Sequence, residues 1–480
     1  MVEETKTAPL DQHVLAQLSA IVGERNVITD PEKQWPFLTQ PSRYSIAAMS
    51  RAVVRPRSTA EVCSIVRLAN DASIPLVPQG GNTGLVGGQI PVSGEIVLSL
   101  QAMDRIREID TTANVITCEA GVVLRTARQA AVSANRMLPL LLPADGSCTI
   151  GGNVATNAGG TQALSYGVTR DQVIGLEVVL ANGEVLSLMR KLKKDNTGYN
   201  LHNLFVGSEG TLGIITAAML KLVPERPTVE TGLAGLNCVD NALALLARAY
   251  EIAGDELTSF ELLSGDGLAC VVNNMPGCRF PTPSKHRWYV FIELSSATDR
   301  ELRRKLEELL LTAADQTLVE DGIIATNLDQ AQSLWNLREV AGEAQRREGD
   351  VVGHDISVPV GKVAAFLVEA DAAVQRVCRD CRPMPFGHLG DGNIHYTVVQ
   401  PRDMPRGVFS SMSDEITGAV HRVVADHLGS ISAEHGIGLF KREALNQTRD
   451  ATSLNIMRGI KQLLDPKGIL NPGKVLTPHS

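Results

Sequence analysis

Pro78-Gln79-Gly80-Gly81-Asn82-Thr83-Gly84-Leu85-Val86-Gly87-Gly88 follows directly on the short apolar run Ile74-Pro75-Leu76-Val77. Five glycines in eleven residues let a backbone turn left-handed and bring its amides close to a ligand. Consecutive amides of this kind form a concave nest suited to a pyrophosphate. The spacing matches neither G-x-G-x-x-G nor G-x-x-x-x-G-K-[ST], so neither a Rossmann nor a P-loop reading follows. Taken alone, the stretch would also serve as a flexible hairpin.

Two further loops narrow the reading. Ala144 to Gly160 is again rich in glycine, interleaved with Asn, Ser and Thr, and carries no charge after Asp145. Uncharged donors and acceptors suit a ring system with carbonyls and ring nitrogens better than a free phosphate. Gly207-Ser208-Glu209-Gly210-Thr211-Leu212-Gly213-Ile214 supplies a third run. Three such loops in one region imply a large, extended cofactor.

The surrounding pattern is α+β. Val53-Val54 precedes Pro56, and Thr59 caps a predicted helix, Ala60 to Ala72, with Val62, Ile65, Val66 and Ala69 on one stripe. Glu95 to Leu100 and Val115 to Glu119 read as strands, Val122 to Asn135 as a helix, and Asn182-Gly183 as a hairpin turn. After Glu225 glycine thins and long helical patterns begin, as in Glu301 to Ala314, with strands predicted at Tyr289 to Leu294 and Gly322 to Ala325. Phe409 to Leu428 and Thr452 to Leu464 read as helices, the latter stopped by Asp465-Pro466-Lys467-Gly468. This pattern separates an α+β domain ending near Pro224 from a second domain that begins at 226.

Composition excludes several classes. With 480 residues, 44% hydrophobic and 20% charged, the chain is globular and long enough for several cores. A net charge of −8 without basic blocks argues against nucleic acid. The longest uncharged stretch, Gly146 to Thr169, is too polar to span a bilayer. Met1-Val2-Glu3-Glu4-Thr5-Lys6 has acids and no apolar h-region, from which a cytoplasmic protein is expected. The eight cysteines form no disulfide framework, and Cys378-Arg379-Asp380-Cys381 lacks a second pair to complete a zinc site.

The three loops, with Asn196-Thr197-Gly198-Tyr199 and Leu470-Asn471-Pro472-Gly473-Lys474, closely resemble the FAD-linked D-2-hydroxyacid dehydrogenases, a group that includes D-lactate dehydrogenase, the glycolate oxidase flavin subunit and D-2-hydroxyglutarate dehydrogenase. The resemblance runs from about Trp35 to Leu476 and implies the vanillyl-alcohol-oxidase-type fold: an FAD domain of two α+β subdomains at 1–225, an α+β substrate cap at 226–425, and a C-terminal segment at 426–480 that returns to the FAD domain. FAD is then expected at Pro78, Gly80, Gly81, Asn82, Thr83, Gly84, Leu85 and Gly87. Around the second loop it is expected at Pro143, Gly146, Ser147, Gly151, Gly152, Asn153, Thr156, Asn157, Gly159 and Gly160. Glu209, Gly213, Ile214 and Asn471 complete the set. Some members of the fold attach flavin through a histidine in the first loop; Pro78 to Gly88 contains none, so FAD is expected to be noncovalent.

Five of the ten histidines lie between 388 and 435. Phe386-Gly387-His388-Leu389-Gly390-Asp391-Gly392-Asn393-Ile394-His395 sets two imidazoles around a glycine turn, and Ala433-Glu434-His435-Gly436 offers a carboxylate. Two imidazoles and a carboxylate suit Zn²⁺ or Mn²⁺, with a coordination position left for substrate; caps of ordinary turns would leave the same spacing. The resemblance implies His388, His395 and Glu434 as metal ligands, His435 as catalytic base and Arg338 as anchor for the substrate carboxylate. His421 and His427, six apart on one helix, are read as structural.

Three positions depart from the hydroxyglutarate-specific pattern. Gly353, before His354-Asp355-Ile356-Ser357-Val358-Pro359, stands where those members carry lysine, Gly342 where they carry threonine, and Thr397 where they carry asparagine. Either Arg346, Arg347 or His354 substitutes, or the substrate is smaller, so D-lactate and D-2-hydroxyglutarate both stay open. A metal-dependent hydrolase would explain the histidines but not the glycine loops. A non-redox flavoprotein related to alkylglycerone-phosphate synthase would explain the loops but not the histidines. The electron acceptor is expected to be an electron-transfer protein or a quinone. A homodimer is carried as the expected assembly, although no residue pattern specifies it.

Overall fold

Ser58, rather than the expected Thr59, caps the first long helix of the glycine-rich region: its side chain accepts from Glu61 N at 3.2 Å. The one-residue shift arises because Glu61 in turn accepts from Arg57 N, which closes the cap from the other side. The computed structural model describes residues 10–39, 48–298 and 300–477. It divides into two units, one of Met1–Gly160, Val168–Pro224 and Glu434–Ser480, the other of Thr161–Gly167 and Glu225–Ala433.

In the first unit, β1 (Ser50–Val54), α1 (Thr59–Asp71), β2 (Leu76–Gln79) and β3 (Glu95–Ser99) form a parallel arrangement, β3 lying between β1 and β2. Val62, Ile65, Val66 and Ala69 of α1 are all buried and cover this sheet. The first glycine loop therefore leaves the C-terminal end of a parallel strand, where ligand loops collect in α/β sheets. A second, antiparallel sheet follows. It comprises β4 (Ile106–Asp110), β5 (Val115–Glu119), β6 (Val173–Val179), β7 (Val185–Ser187) and β8 (Ile214–Lys221), in the order β4-β5-β8-β6-β7. Between its strands run α2 (Leu124–Ser133) and α3 (Ile150–Thr156), the latter formed by the second glycine loop. The returning tail closes the unit: Leu76 N donates to Ile469 O at 2.7 Å and Asn471 N to Leu76 O at 2.8 Å.

The second unit is built on a long antiparallel sheet. Its main strands are β9 (Thr228–Leu236), β10 (Leu257–Ser264), β11 (Trp288–Ser296), β12 (Asp321–Ile324), β13 (Val351–Ser357), β14 (Phe386–His388) and β15 (Asn393–Val399), ordered β12-β9-β11-β10-β14-β15-β13, with the short Arg382–Pro383 also pairing with β15. The sequence reading expected only β11 and β12. The rest escape it because strands covered on both faces lose their alternation; every residue of β10 is buried. Helices α4 (Leu302–Asp315), α5 (Leu328–Glu339) and α6 (Ala341–Glu348) include two that frame the site described below. The helix expected from Phe409 to Leu428 is a 3₁₀ turn, Phe409–Met412, followed by an α-helix, Ser413–Asp426.

Candidate active site

Within the first unit the three glycine loops converge. A Cβ on Gly80 would strike the Thr149 hydroxyl, and one on Gly81 the Ser147 carbonyl, so loops one and two meet backbone to backbone. Gly207 N donates to Val154 O at 3.0 Å and Glu209 N to Ala155 O at 2.8 Å, seating loop three on α3. Asn471, in a left-handed conformation, donates from Nδ2 to Gly88 O at 2.8 Å and to Glu209 O at 2.7 Å. One buried amide thus ties the tail to two loops. Asp145 anchors the start of loop two through Arg125 and Arg128, and the Arg125 guanidinium is the main influence holding its carboxyl below the usual range.

Gln79 Oε1, Asn82 Oδ1, Thr149 Oγ1 and Asn471 Oδ1 are buried and accept no hydrogen bond from any described residue. Such atoms cost about 1–3 kcal/mol each unless a ligand or water meets them. Bare backbone cradles beside unsatisfied uncharged acceptors fit a flavin dinucleotide, whose ring and ribitol bring donors of their own. The other expected contacts lie along the same loops, with Leu85, Pro143, Gly146 and Ser147 exposed and the Ile214 side chain turned into the core. Because a methyl at Gly81 forces the two loops apart, Gly81→Ala is expected to weaken FAD binding about 5- to 100-fold, measured by flavin released on dilution.

Glu209 does something the sequence did not suggest. Its buried carboxylate accepts from Ile437 N at 2.7 Å and Gly438 N at 2.9 Å, pinning the segment that follows Glu434 and His435. Gly436 (φ +82°) and Gly438 (φ +51°) are the positive-φ positions that let this segment wrap the carboxylate. Gly159 of loop two packs on Glu434, whose Cγ would lie 3.2 Å from an added Cβ. Glu434 and His435 are therefore both fixed, half-buried, by the first unit's own loops.

In the second unit the histidines lie on a hairpin. β14 ends at His388, a turn through Gly392 (φ +82°) follows, and β15 begins at Asn393. Since His388 pairs with Asn393 and Phe386 with His395, the two imidazoles are diagonal neighbours on one sheet face. Their ring centroids are 5.5 Å apart. The turn is held by Asn393, which donates from Nδ2 to Asp355 Oδ1 at 3.0 Å and to Ile356 O at 2.9 Å.

Glu261, absent from the sequence reading, is the hub. It faces His388 across β10 and β14, and its Oε1 meets His388 Nδ1 at 2.5 Å. Its Oε2 accepts from Arg338 Nε at 2.9 Å and lies 2.8 Å from Arg338 Nη2. Burial alone would push this carboxyl up, but the neighbouring His388 and Arg338 outweigh it and hold Glu261 at about 2. A carboxylate at Nδ1 fixes the tautomer of His388 so that Nε2 carries the donor lone pair, the arrangement found behind metal-binding imidazoles. Arg338 ends α5 with its guanidinium 4.7 Å over the Phe386 ring, and no described residue accepts from its Nη1. Three residues earlier, Trp335 Nε1 donates to the half-buried Glu293 at 3.1 Å and steadies the same helix face.

Other candidates are engaged elsewhere. The His354 ring meets Tyr396 O at 2.9 Å and Thr417 Oγ1 at 3.2 Å. His421 packs edge-on against His354, and His427 contacts Glu369. Gly353 and Thr397 face one another across β13 and β15. Cys381 is buried, and its thiol is pushed up to about 12, chiefly by burial, which makes it a poor nucleophile.

The chain matches two family descriptions: "FAD binding domain" over residues 50–189 and "FAD linked oxidases, C-terminal domain" over residues 226–475. It is 37% identical over 477 residues to "D-2-hydroxyglutarate dehydrogenase, mitochondrial" of Arabidopsis thaliana, covering 98% of this chain and 82% of that one. A protein of the same name from Bos taurus is 38% identical over 475 residues, covering 97% and 84%. Among solved structures, alkyldihydroxyacetonephosphate synthase superposes with a TM-score of 0.74 at 18% identity, covering 98% of this chain and 88% of that one. At that identity the likeness speaks for the fold alone. The cytoplasmic expectation is corrected by these names, since both relatives are mitochondrial. No helix among the described residues is long and apolar enough to cross a membrane.

Proposed function

The chain belongs to the FAD-linked oxidases as a 2-hydroxyacid dehydrogenase, and from that premise we propose that it oxidises a D-2-hydroxy acid of the D-2-hydroxyglutarate class to the 2-oxo acid. In this reading FAD is held noncovalently by the glycine loops. His388, His395 and Glu434 hold a divalent cation, zinc before manganese, because two imidazoles and a carboxylate are zinc's usual catalytic donors. The observation that carries the reading is Glu261, which joins the carboxylate anchor Arg338 and the ligand His388 through a single buried side chain.

When bound, flavin supplies the hydride acceptor and the cation the positive charge that acidifies the substrate hydroxyl. Arg338 presents its remaining donors to the C1 carboxylate in the planar fork that guanidinium offers. Phe386, beneath that guanidinium, keeps the anchor flat and water off one face. Glu261 holds His388 in its ligating tautomer through every turnover. His435, as a neutral imidazole, removes the proton from the substrate hydroxyl, while Glu209 keeps the segment after it from shifting. Electrons then leave for an electron-transfer protein or a quinone.

Anaerobic titration of the yellow holoenzyme with a panel of D- and L-2-hydroxy acids tests this. D-2-hydroxyglutarate is expected to bleach the flavin band and its L-enantiomer to leave it. A flavin that no D-2-hydroxy acid bleaches would sink the reading.

A further inference from the structure

Arg338, Gly342 and Arg346 recur at helical spacing, and the backbone bonds Val340 N→Asn336 O (3.1 Å) and Ala344 N→Val340 O (2.9 Å) carry that spacing from α5 into α6. Long side chains on a helix lean toward its N-terminus and cover the residue four earlier. At 342 that residue is glycine, so nothing stands between the Arg346 side chain and the helix surface. Arg346 Nη1 lies 3.6 Å from where a Gly342 Cβ would be, and Phe386 Cζ lies 3.7 Å from the same point. The ring under Arg338 thus extends to the patch that Arg346 covers, and its other neighbour is His395, at 5.1 Å between centroids.

Arg346 spends nothing on the protein: no described residue pairs with its guanidinium, and the side chain is exposed. The two nearby alternatives are committed. Arg347 pairs with Glu343 at 2.5 Å and donates to Asn274 O at 3.3 Å, and both nitrogens of His354 are engaged. A second guanidinium left unpaired beside the first, across one phenyl ring, is a receptor for a second anion.

We propose that Arg346 is the specificity residue of this site, binding the distal carboxylate of a 2-hydroxy diacid whose C1 carboxylate is held by Arg338. This deepens the function proposed above and rests on it for the identity of the site. A five-carbon diacid carries such a second carboxylate, two methylenes beyond its carbinol carbon. A monocarboxylic 2-hydroxy acid would leave Arg346 in water.

The test is calorimetric and needs no turnover. FAD-loaded wild type, Arg346→Ala, Arg346→Lys and Arg347→Ala are titrated with the product-like acids 2-oxoglutarate and pyruvate. The wild type is expected to prefer 2-oxoglutarate, and Arg346→Ala to reduce that preference about 10- to 100-fold, the range of a charged hydrogen bond. Arg346→Lys should restore part of it, and Arg347→Ala should keep the wild-type ratio. An unchanged ratio in Arg346→Ala, or a wild type that binds both acids equally, overturns the inference. A holoenzyme that prefers 2-oxoglutarate through Arg346, yet is reduced by no D-2-hydroxy acid, would instead overturn the proposed reaction.

Discussion

Glu261→Gln is expected to weaken binding of the proposed divalent cation while leaving the flavin in place. The amide is the same size as the carboxylate but has one oxygen and one NH₂ group. Its oxygen can still accept from Arg338, as Glu261 Oε2 now does at 2.9 Å. Its NH₂ group then faces His388 Nδ1, where Glu261 Oε1 now stands at 2.5 Å. A donor there forces Nδ1 to become the acceptor and moves the ring proton to Nε2, the nitrogen that must carry a lone pair to ligate a cation. Loss of such a support lowers metal affinity by about 10- to 100-fold, and competition with a chromophoric zinc chelator measures it directly. Glu261→Ala goes further, because it also strands the buried Arg338 guanidinium; removing one partner of a buried pair costs about 3–5 kcal/mol. That variant should show a lower urea midpoint as well as weaker zinc binding. A Glu261→Gln protein that binds zinc as tightly as wild type would show that the carboxylate does not set the tautomer.

The contrast between Glu261 and the glycine loops explains how much of the site was legible in the sequence. Gly80, Gly81 and Gly87 announce themselves because close backbone approach and positive φ select one residue type, so composition alone marks the spot. His388 and His395 are rare residues at a short spacing, and a hairpin needs little more than that to make them neighbours. Glu261 is different. It sits in Leu257–Ser264, a strand buried along its whole length, where no alternation betrays the strand and the partners lie 77 and 127 residues away. The available signal was chemical: one carboxylate within an otherwise uncharged, largely apolar run must be paired, since an unpaired buried charge is too costly to keep. The same blindness hid most of the second unit's sheet, while α1 and β5, with clear periodicity or clean borders, were placed nearly to the residue. Glu209 is expected beside the cofactor, and its carboxylate spends both oxygens on backbone amides, a use that no motif encodes.

Glu209 also makes His435 a clean target. The conformation of the segment after His435 is set by the Glu209 carboxylate and by two positive-φ glycines, none of which depends on the imidazole. His435→Ala should therefore keep its fold, its FAD and its affinity for added zinc, since the ligands proposed for the cation are other residues. What it loses is the acceptor for the hydroxyl proton, and removal of a general base typically slows a reaction about 10²- to 10⁴-fold. Stopped-flow bleaching of the flavin band by D-2-hydroxyglutarate is expected to slow by that factor, with the starting spectrum unchanged. The two variants then separate two roles in one reaction: added zinc should recover part of the rate lost in Glu261→Gln and none of that lost in His435→Ala. A small basic solute such as imidazole should help only the second, because it can replace a missing base but cannot restore a tautomer. Were His435→Ala to bleach at the wild-type rate, proton removal would have to be assigned to another group or to solvent, and the carboxylate anchor and the cation would remain the only catalytic elements the protein contributes.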